Sequence, residues 1–156
     1  MALSRIMIVG GPGSGKTWLS RALGHRLGLP VFSVDNAVWD EAGRLRPADV
    51  IDAMVRGAAA KDRWIIEGGN TRTYPDRARR ADVIIRLSPP LWLRLYRVLR
   101  RSGLERIDLL YWTVRYDAVF GDKDRALAST SGIAAIWTEV RSRRDLQRLL
   151  WDLDRR

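Results

Sequence analysis

Residues Gly10–Thr17, GGPGSGKT, follow the apolar run RIMIV and precede a segment with helical spacing. They satisfy the pattern G-x-x-x-x-G-K-[ST], in which glycines let successive backbone N–H groups wrap an anion. Among 28 basic residues, lysine occurs only at Lys16, Lys61 and Lys123. Lysine is a compact point charge, whereas arginine is a broad planar fork. Lys16 therefore indicates a site that needs a point charge. The probability that a chain of this size matches the pattern G-x-x-x-x-G-K-[ST] by chance is about one in a hundred.

This loop is the Walker A pattern, and it predicts binding of a nucleoside triphosphate, with ATP and Mg²⁺ as the expected ligands. Lys16 is expected to reach the β- and γ-phosphates, and the Thr17 hydroxyl to bind Mg²⁺. The free N–H groups and the dipole of the following helix add to the attraction. The residues predicted to contact the nucleotide are Gly11, Pro12, Gly13, Ser14, Gly15, Lys16, Thr17 and Trp18.

Composition predicts a single domain over residues 1–156, with 46% hydrophobic and 29% charged residues. The lack of cysteine excludes disulfides and thiolate metal sites and favours the cytoplasm. The sequence shows neither the pattern of a signal peptide nor an apolar run of membrane-spanning length, so neither feature is expected in the structure. The net charge of +10 is compatible with phosphate-bearing small molecules, with nucleic acid, or with arginine used in place of lysine.

Apolar patterning predicts an alternation of strands and helices, which implies a parallel sheet covered on both faces. The predicted strands are Arg5–Gly10, Val31–Asp35, Trp64–Glu67, Asp82–Leu87 and Ile136–Val140. The predicted helices are Lys16–Leu27, Pro47 to about Ala60, Pro89 through Arg101, about 105–120, and a last one begun by a capping box of Ser142 and Asp145. The stretch Gly121–Gly132 is predicted to be a loop.

Several classes of P-loop protein are excluded by motifs that the chain lacks. GDKD at 121–124 lacks the asparagine of the guanine-reading N-K-x-D element, and no LSGGQ-type stretch supports an ABC ATPase. The chain is also too short for a ring ATPase with a lid domain. These exclusions leave the small kinases, whose acceptor site and arginine-bearing lid are built from loops between strands.

Three further elements follow the Walker loop: VDNAVW at 34–39, EGGN with PDR and AD within 67–82, and PPLWL with YRVLRR within 89–101. In this order they resemble elements of the adenylate-kinase-like P-loop kinases, most closely the bacterial DNA topology modulation (FlaR-like) proteins. Those elements read L-D-x-x-x-W, D-G-N-Y with P-E-R and A-D, and L-P-R-W-L with W-R-V-L-R-R. The chain departs from them at Glu67, where the family has aspartate, and at Gly69-Asn70, where it has asparagine and an aromatic residue.

The resemblance implies a three-layer α/β/α P-loop NTPase fold, with a five-stranded parallel sheet of order 2-3-1-4-5 and a short helical lid at approximately 100–130. It also implies ATP-dependent transfer of phosphate to a small acceptor, such as a nucleoside monophosphate or another small metabolite. The name of the DNA topology modulation proteins suggests an alternative function, that of a nucleic-acid-associated P-loop ATP-binding protein. No helix-turn-helix or RNP element supports that alternative in the sequence, so phosphotransfer is preferred.

Carboxylates are expected to act at the carboxyl ends of the strands, where ligands bind in open α/β sheets. Glu67 is expected to bind Mg²⁺ together with Thr17, or else to pair with an arginine. Asp35 is expected to anchor the acceptor or to serve as the base for its hydroxyl, or else to cap the next helix. Trp39 is expected to wall the acceptor pocket or to lie in the core.

Arginines supply the remaining candidates. Arg94, Arg97 and Arg101 share one side of a predicted helix. This is either a solvated face or, as the resemblance implies, the place where lid arginines reach the transferred phosphate. Arg72 and Arg77 follow Glu67 closely enough to hold an acceptor anion. The expected catalytic residues are Lys16, Asp35, Glu67, Arg97 and Arg101.

Overall fold

Five parallel strands form one sheet in the order β2-β3-β1-β4-β5, as the family resemblance implies. The computed structural model describes residues 3–129 and 135–154. The strands are β1 (Arg5–Gly10), β2 (Val31–Ser33), β3 (Trp64–Glu67), β4 (Val83–Leu87) and β5 (Ile136–Val140). Because β3 and β4 pair with β1 on either side, the end of β1 lies at the middle of the carboxyl edge.

Helices cover both faces of the sheet. They are α1 (Lys16–Leu27), α2 (Val34–Val38), α3 (Ala48–Ala59), α4 (Tyr74–Ala78), α5 (Leu91–Ser102), α6 (Ile107–Ala126) and α7 (Arg143–Asp154), with short 3₁₀ turns at Thr71–Thr73 and Leu104–Arg106. None of the helices in the described ranges combines the length and apolar character that crossing a membrane requires.

Alternate residues of β1 pack into two separate cores, as the two-residue period of a strand requires. Met7 joins the core that includes Val55 of α3. Ile8 joins the core that includes Leu23 of α1 and residues of α7. The buried strands are therefore apolar along most of their length, and polar side chains of the site come from strand ends, helices and loops at the carboxyl edge.

The capping box predicted for the last helix is confirmed. Asp145 N donates to Ser142 Oγ at 3.2 Å, and Ser142 N donates to the Asp145 carboxylate at 2.9 Å. These bonds satisfy N–H groups that the first turn leaves without helical partners. They fix the chain where it leaves β5 and enters α7.

Of the predicted boundaries that differ from the structure, two change how an element is understood. Strand β2 ends at Ser33, so Asp35 lies in the first turn of α2, where burial of Val34 and Ala37 favours a helix over further strand. Helix α6 continues through 121–126, which the sequence suggested as loop. Tertiary contacts override the weak helix propensity there, because the Asp124 side chain is fully buried. Residues 130–132 of that predicted loop lie outside the described residues.

Candidate active site

The Walker loop lies in a tight cleft between the sheet and two helices. Gly13 has a φ of 71°, in the left-handed region, and a Cβ there would overlap the backbone oxygen of Arg94 in α5. A Cβ on Gly11 would come within 2.9 Å of the Tyr116 ring in α6. Only glycine allows the loop to pack this closely, so the spacing of glycines serves the fold of the loop as well as phosphate access.

Lys16 points back into the loop. Its Nζ donates to the backbone oxygen of Gly11 at 3.0 Å. Burial lowers the pKa of this ammonium, and the negative charges of Asp35 and Glu67 oppose that shift. An ammonium carries three N–H donors, so Lys16 keeps donors for phosphate oxygens.

Thr17 and Glu67, the predicted metal pair, lie together. Glu67 is fully buried at the end of β3, and its Oε1 accepts from Ser33 Oγ at 2.6 Å and from Thr17 Oγ1 at 3.3 Å. Its Oε2 is buried and has no hydrogen-bond partner within the described ranges. A buried carboxylate oxygen without a partner, next to a threonine hydroxyl, fits a hard cation such as Mg²⁺.

The rest of a magnesium coordination sphere would have to come from the ligand and water. In residues 3–129 and 135–154 there is no group of three or more His, Cys, Asp or Glu side chains that could hold a metal. Mg²⁺ commonly binds one or two protein groups together with substrate phosphates and water. Thr17 and Glu67 match that pattern.

Two cavities flank the loop. The first, of about 620 Å³, lies between the loop, α5 and the segment that enters α7, and Arg141 and Ser142 line it. The second, of about 880 Å³, lies between the loop and α6, and Asp35 lines it. Trp18 and Arg97 line both cavities, so the two spaces adjoin across the start of α1.

The second cavity, which we call the acceptor cavity, brings together most of the expected catalytic side chains. Lys16, Asp35, Arg97 and Arg101 all line it, and Glu67 lies behind Thr17 at its base. Arg97 also binds the loop itself, since its Nη1 donates to the backbone oxygens of Gly13 and Ser14, both at 3.3 Å.

Three residues were expected to contact the acceptor: Trp39, Arg72 and Arg77. In the part of the chain that the structure describes, they line neither cavity. Trp39 is 53% exposed and its backbone pairs with Leu45. Arg72 forms a two-pronged pair with Asp52, with Nε–Oδ2 at 2.9 Å and Nη2–Oδ1 at 3.0 Å.

Arg77 lies beneath the loop that follows β3. It is fully buried and donates to the backbone oxygens of Gly68, Gly69 and Asn70. Burial lowers its pKa to about 10. Because Gly69 lines the acceptor cavity, Arg77 shapes that cavity from behind.

The three arginines that share one side of α5 lie in different environments. Arg94 is buried and forms an ion pair with Asp117 of α6, which also pairs with the buried Arg86 of β4 at 3.2 Å. Asp124, one further heptad along α6, accepts hydrogen bonds from Tyr74 at 2.7 Å and from Tyr116 at 3.0 Å. Sequence reasoning missed this network, although the seven-residue spacing of the two aspartates places them on one face of a helix.

Three aromatic residues of α6, Trp112, Tyr116 and Phe120, line the acceptor cavity and were also missed. Their spacing of four residues is the available signal, since such residues stack along one helix face. The sequence shows only that this segment is bulky and apolar. It does not show that the aromatic face turns toward the Walker loop.

Comparison with known proteins finds small kinases. A shikimate kinase from Symbiobacterium thermophilum is 34% identical over 122 residues, covering 67% of this chain and 68% of that protein. The structure of a shikimate kinase from Acinetobacter baumannii in complex with shikimate matches with a TM-score of 0.68 and 18% identity, over 97% of this chain and 93% of that one. A shikimate kinase structure from Bacteroides thetaiotaomicron matches with a TM-score of 0.66 and 18% identity, over 98% and 99%. No family model matches the chain.

Proposed function

The chain belongs to the shikimate kinase family of small P-loop kinases, and on this premise we propose that it transfers the γ-phosphoryl group of ATP to a hydroxyl of a small acceptor in the acceptor cavity. The observation that carries the proposal is the convergence of Lys16, Asp35, Arg97 and Arg101 on one cavity beside the Walker loop. Phosphoryl transfer needs positioning and charge neutralisation more than covalent chemistry from the protein.

The proposed roles follow from these positions. Lys16 and the loop N–H groups hold the phosphates, and Thr17 with Glu67 holds Mg²⁺, which when bound neutralises charge on the phosphate oxygens. Asp35 orients the acceptor hydroxyl and accepts its proton. Arg97 and Arg101 stabilise the negative charge that spreads over the transferred group.

We also propose that residues 1–156 form one domain, whose segment at about 100–130 acts as a lid. The C-terminal half of α6 is tied to β4 through Asp117 and Arg86, so movement is expected at the Gly103–Ile107 end. Closure would exclude water and limit wasteful hydrolysis of ATP. Residue 130 lies outside the described residues.

The acceptor identity is the finer part of the proposal. Shikimate is the ligand named for the Acinetobacter baumannii structure, and a nucleoside monophosphate follows from the resemblance to adenylate-kinase-like proteins. Both belong in the first acceptor panel. The experiment measures ADP formation by the purified full chain with ATP, Mg²⁺ and each acceptor.

Lys16→Ala is the decisive variant, and Lys61→Ala is its matched control. Lys61 lies in an exposed turn before β3, at the opposite edge of the sheet. We expect acceptor-dependent ADP formation to fall by about a hundredfold or more in Lys16→Ala and to be unchanged in Lys61→Ala. Turnover that survives Lys16→Ala, or that no acceptor stimulates, would contradict the proposed function.

A nucleic-acid-associated P-loop protein is a second candidate, because the net charge of +10 favours binding to polyanions. That function predicts DNA affinity that falls steeply with salt and survives Lys16→Ala. Stimulation of ADP formation by DNA, with none by any small acceptor, would favour it over phosphotransfer.

A further inference from the structure

Asp35 is placed by its backbone and not by contacts of its own carboxylate. The side chain is exposed and lines the acceptor cavity, and within the described ranges it forms no hydrogen bond or ion pair. On another side of α2, Val34 and Ala37 are buried in the core. The position of the Asp35 carboxylate therefore depends on how firmly the rest of this short helix is held.

Arg46 binds the C-terminal end of α2. A helix leaves the carbonyl groups of its last turn without helical partners. Arg46 Nη1 is hydrogen-bonded to the backbone oxygens of Asn36 at 3.2 Å and Ala37 at 3.1 Å, and also to that of Trp39. Its backbone N–H donates to the Val38 oxygen at 2.8 Å. One residue from outside the helix thus binds four consecutive carbonyl groups at its end.

A tight hairpin brings Arg46 back to this position. The backbone of Trp39 pairs with that of Leu45. Asp40 closes the turn between them, since its Oδ1 accepts the backbone N–H of Arg44 at 2.8 Å. Hydrogen bonds from Arg44 hold the pKa of the Asp40 carboxyl below its ordinary value, so this acceptor is ionised at neutral pH. Residues close to α2 in sequence therefore deliver the Arg46 guanidinium.

We propose that Arg46 is a positioning residue for phosphotransfer. It fixes the C-terminal end of α2 and so holds the Asp35 carboxylate within reach of the acceptor hydroxyl. Arg46 does not line the acceptor cavity in the ranges that the structure describes, so it acts through α2 and not on the acceptor. The role rests on the proposed phosphotransfer function, in which a base must lie within hydrogen-bond distance of the proton that it accepts.

The first test measures ADP formation by the purified full chain with ATP and Mg²⁺, and with shikimate and adenosine 5′-monophosphate as acceptors. A displacement of about 1 Å in a reacting group can cost about a hundredfold in rate, so Arg46→Ala is expected to lower kcat by about tenfold to a hundredfold. KM for ATP should be unchanged, because none of the four carbonyl groups belongs to the Walker loop.

Arg44→Ala is the matched control. Arg44 lies in the same hairpin, its side chain is 80% exposed, and its guanidinium pairs with Asp40 at 3.0 Å. The substitution removes an equal charge and keeps the backbone N–H that closes the turn, so kcat should equal that of the parent chain. An equal fall in kcat in Arg44→Ala and Arg46→Ala would overturn the role of Arg46, because it would reflect lost charge or a disturbed hairpin.

Arg46→Lys and Arg46→Met separate hydrogen bonding from packing. Both keep an apolar stem that can pack as the arginine stem does, but only lysine keeps N–H donors for the carbonyl groups. We expect Arg46→Lys to recover part of the kcat that Arg46→Ala loses, and Arg46→Met to recover none. Melting temperatures report folding, and the Lys and Met variants decide the question if Arg46→Ala does not fold. Equal kcat in these two variants overturns the inference.

The second test asks whether Arg46 acts through Asp35. If it does, the effects of the two substitutions on kcat are not additive. Arg46→Ala is expected to lower the residual kcat of Asp35→Asn by about twofold at most. Full additivity, or a parent-like kcat in Arg46→Ala, overturns the inference and leaves phosphotransfer standing. If the parent chain phosphorylates no acceptor of the panel, the proposed function and this inference are both overturned.

Discussion

Gly13 illustrates how one residue serves both fold and function. Its φ of 71° is rarely adopted by other residues, and the space a Cβ would need is taken by the backbone oxygen of Arg94. The loop therefore packs on α5 only when position 13 has no side chain. Phosphate binding depends on the same packing, because it sets the direction of the loop N–H groups.

Gly13→Ala is accordingly expected to weaken binding of ATP with Mg²⁺ by at least about tenfold and to lower the free energy of unfolding by about 1–3 kcal/mol. Calorimetric titration and urea unfolding measure the two effects. Gly57→Ala in α3 is the control, since a Cβ there meets nothing within 4 Å. It should raise the free energy of unfolding by about 0.5–1 kcal/mol. Normal ATP affinity in Gly13→Ala would show that the loop tolerates the displacement.

Arg94, Arg97 and Arg101 show what helical spacing predicts for single residues. The spacing places them on one side of a helix, and two of them, Arg97 and Arg101, line the acceptor cavity. Arg94 instead is buried in an ion pair with Asp117. The sequence could not separate the three, because what differs is the neighbouring helix α6 and not the position on α5.

At the scale of elements, β4 and β5 are joined by a charged pair as well as by backbone bonds. Arg86 of β4 is in register with Glu139 of β5, and their side chains form an ion pair. Burial alone would raise the pKa of Glu139, but hydrogen bonds from Arg141 and Ser88 and the charge of Arg86 outweigh it and hold that pKa at about 2. The edge strand β5 thus depends on an ionised carboxylate.

The pKa of Glu139 lies below its ordinary value of 4.5, so its contribution to stability is present above pH 4.5 and is lost as the pH falls toward 2. Glu139→Gln should lower the free energy of unfolding by about 2 kcal/mol at pH 7. The difference from the parent chain should shrink steadily between pH 4.5 and 2. Urea unfolding of both proteins across this range measures it.

Asp62→Asn provides the comparison for that experiment. Its side chain is fully exposed and its distance to Arg80 is 3.9 Å. Exposed pairs of this kind contribute about 0–1 kcal/mol, so the change in unfolding free energy should be small. A Glu139→Gln effect as small as that of Asp62→Asn at pH 7 would mean that the pair does not stabilise the sheet edge.

Helix α6 shows where element prediction from sequence fails. Gly121, Asp122 and Lys123 are typical of a loop, yet the helix continues to Ala126. The cause is long-range, because Tyr74 of α4 bonds to Asp124 across the structure. In contrast, α1 ends at Leu27, as Gly28 predicts. Gly28 adopts a left-handed conformation that ends the helix, and this conformation is a local property of the chain.

At the scale of the whole molecule, the sheet and the Walker loop were predictable from sequence, whereas the acceptor cavity was not. The loop is a continuous segment, and the groups that bind phosphate belong to adjacent residues. The cavity combines Asp35 of α2, Gly69 after β3 and Trp112 of α6, which only the tertiary fold brings together. Its aromatic character therefore emerges from packing and not from any single motif.

Ligand binding should stabilise the entire fold, because the Walker loop joins β1 to α1 at the centre of the sheet. At an ATP concentration about 100 times Kd, with Mg²⁺ present, linkage gives about 2.7 kcal/mol. For a chain of this length that corresponds to a rise in melting temperature of about 5–10 °C. Lys16→Ala should show no rise under the same conditions. Equal rises in both proteins would indicate that the nucleotide binds elsewhere.

Trp18 lines both cavities, so one indole borders both of the spaces that flank the Walker loop. A ligand that packs on this indole in one cavity would contact a side chain that also borders the other cavity. Thermodynamic reciprocity requires that the factor by which ATP changes acceptor affinity equals the factor by which the acceptor changes ATP affinity. We therefore expect ATP and the acceptor to bind with a measurable coupling, so that the stability of the ternary complex is not the sum of the two binary ones.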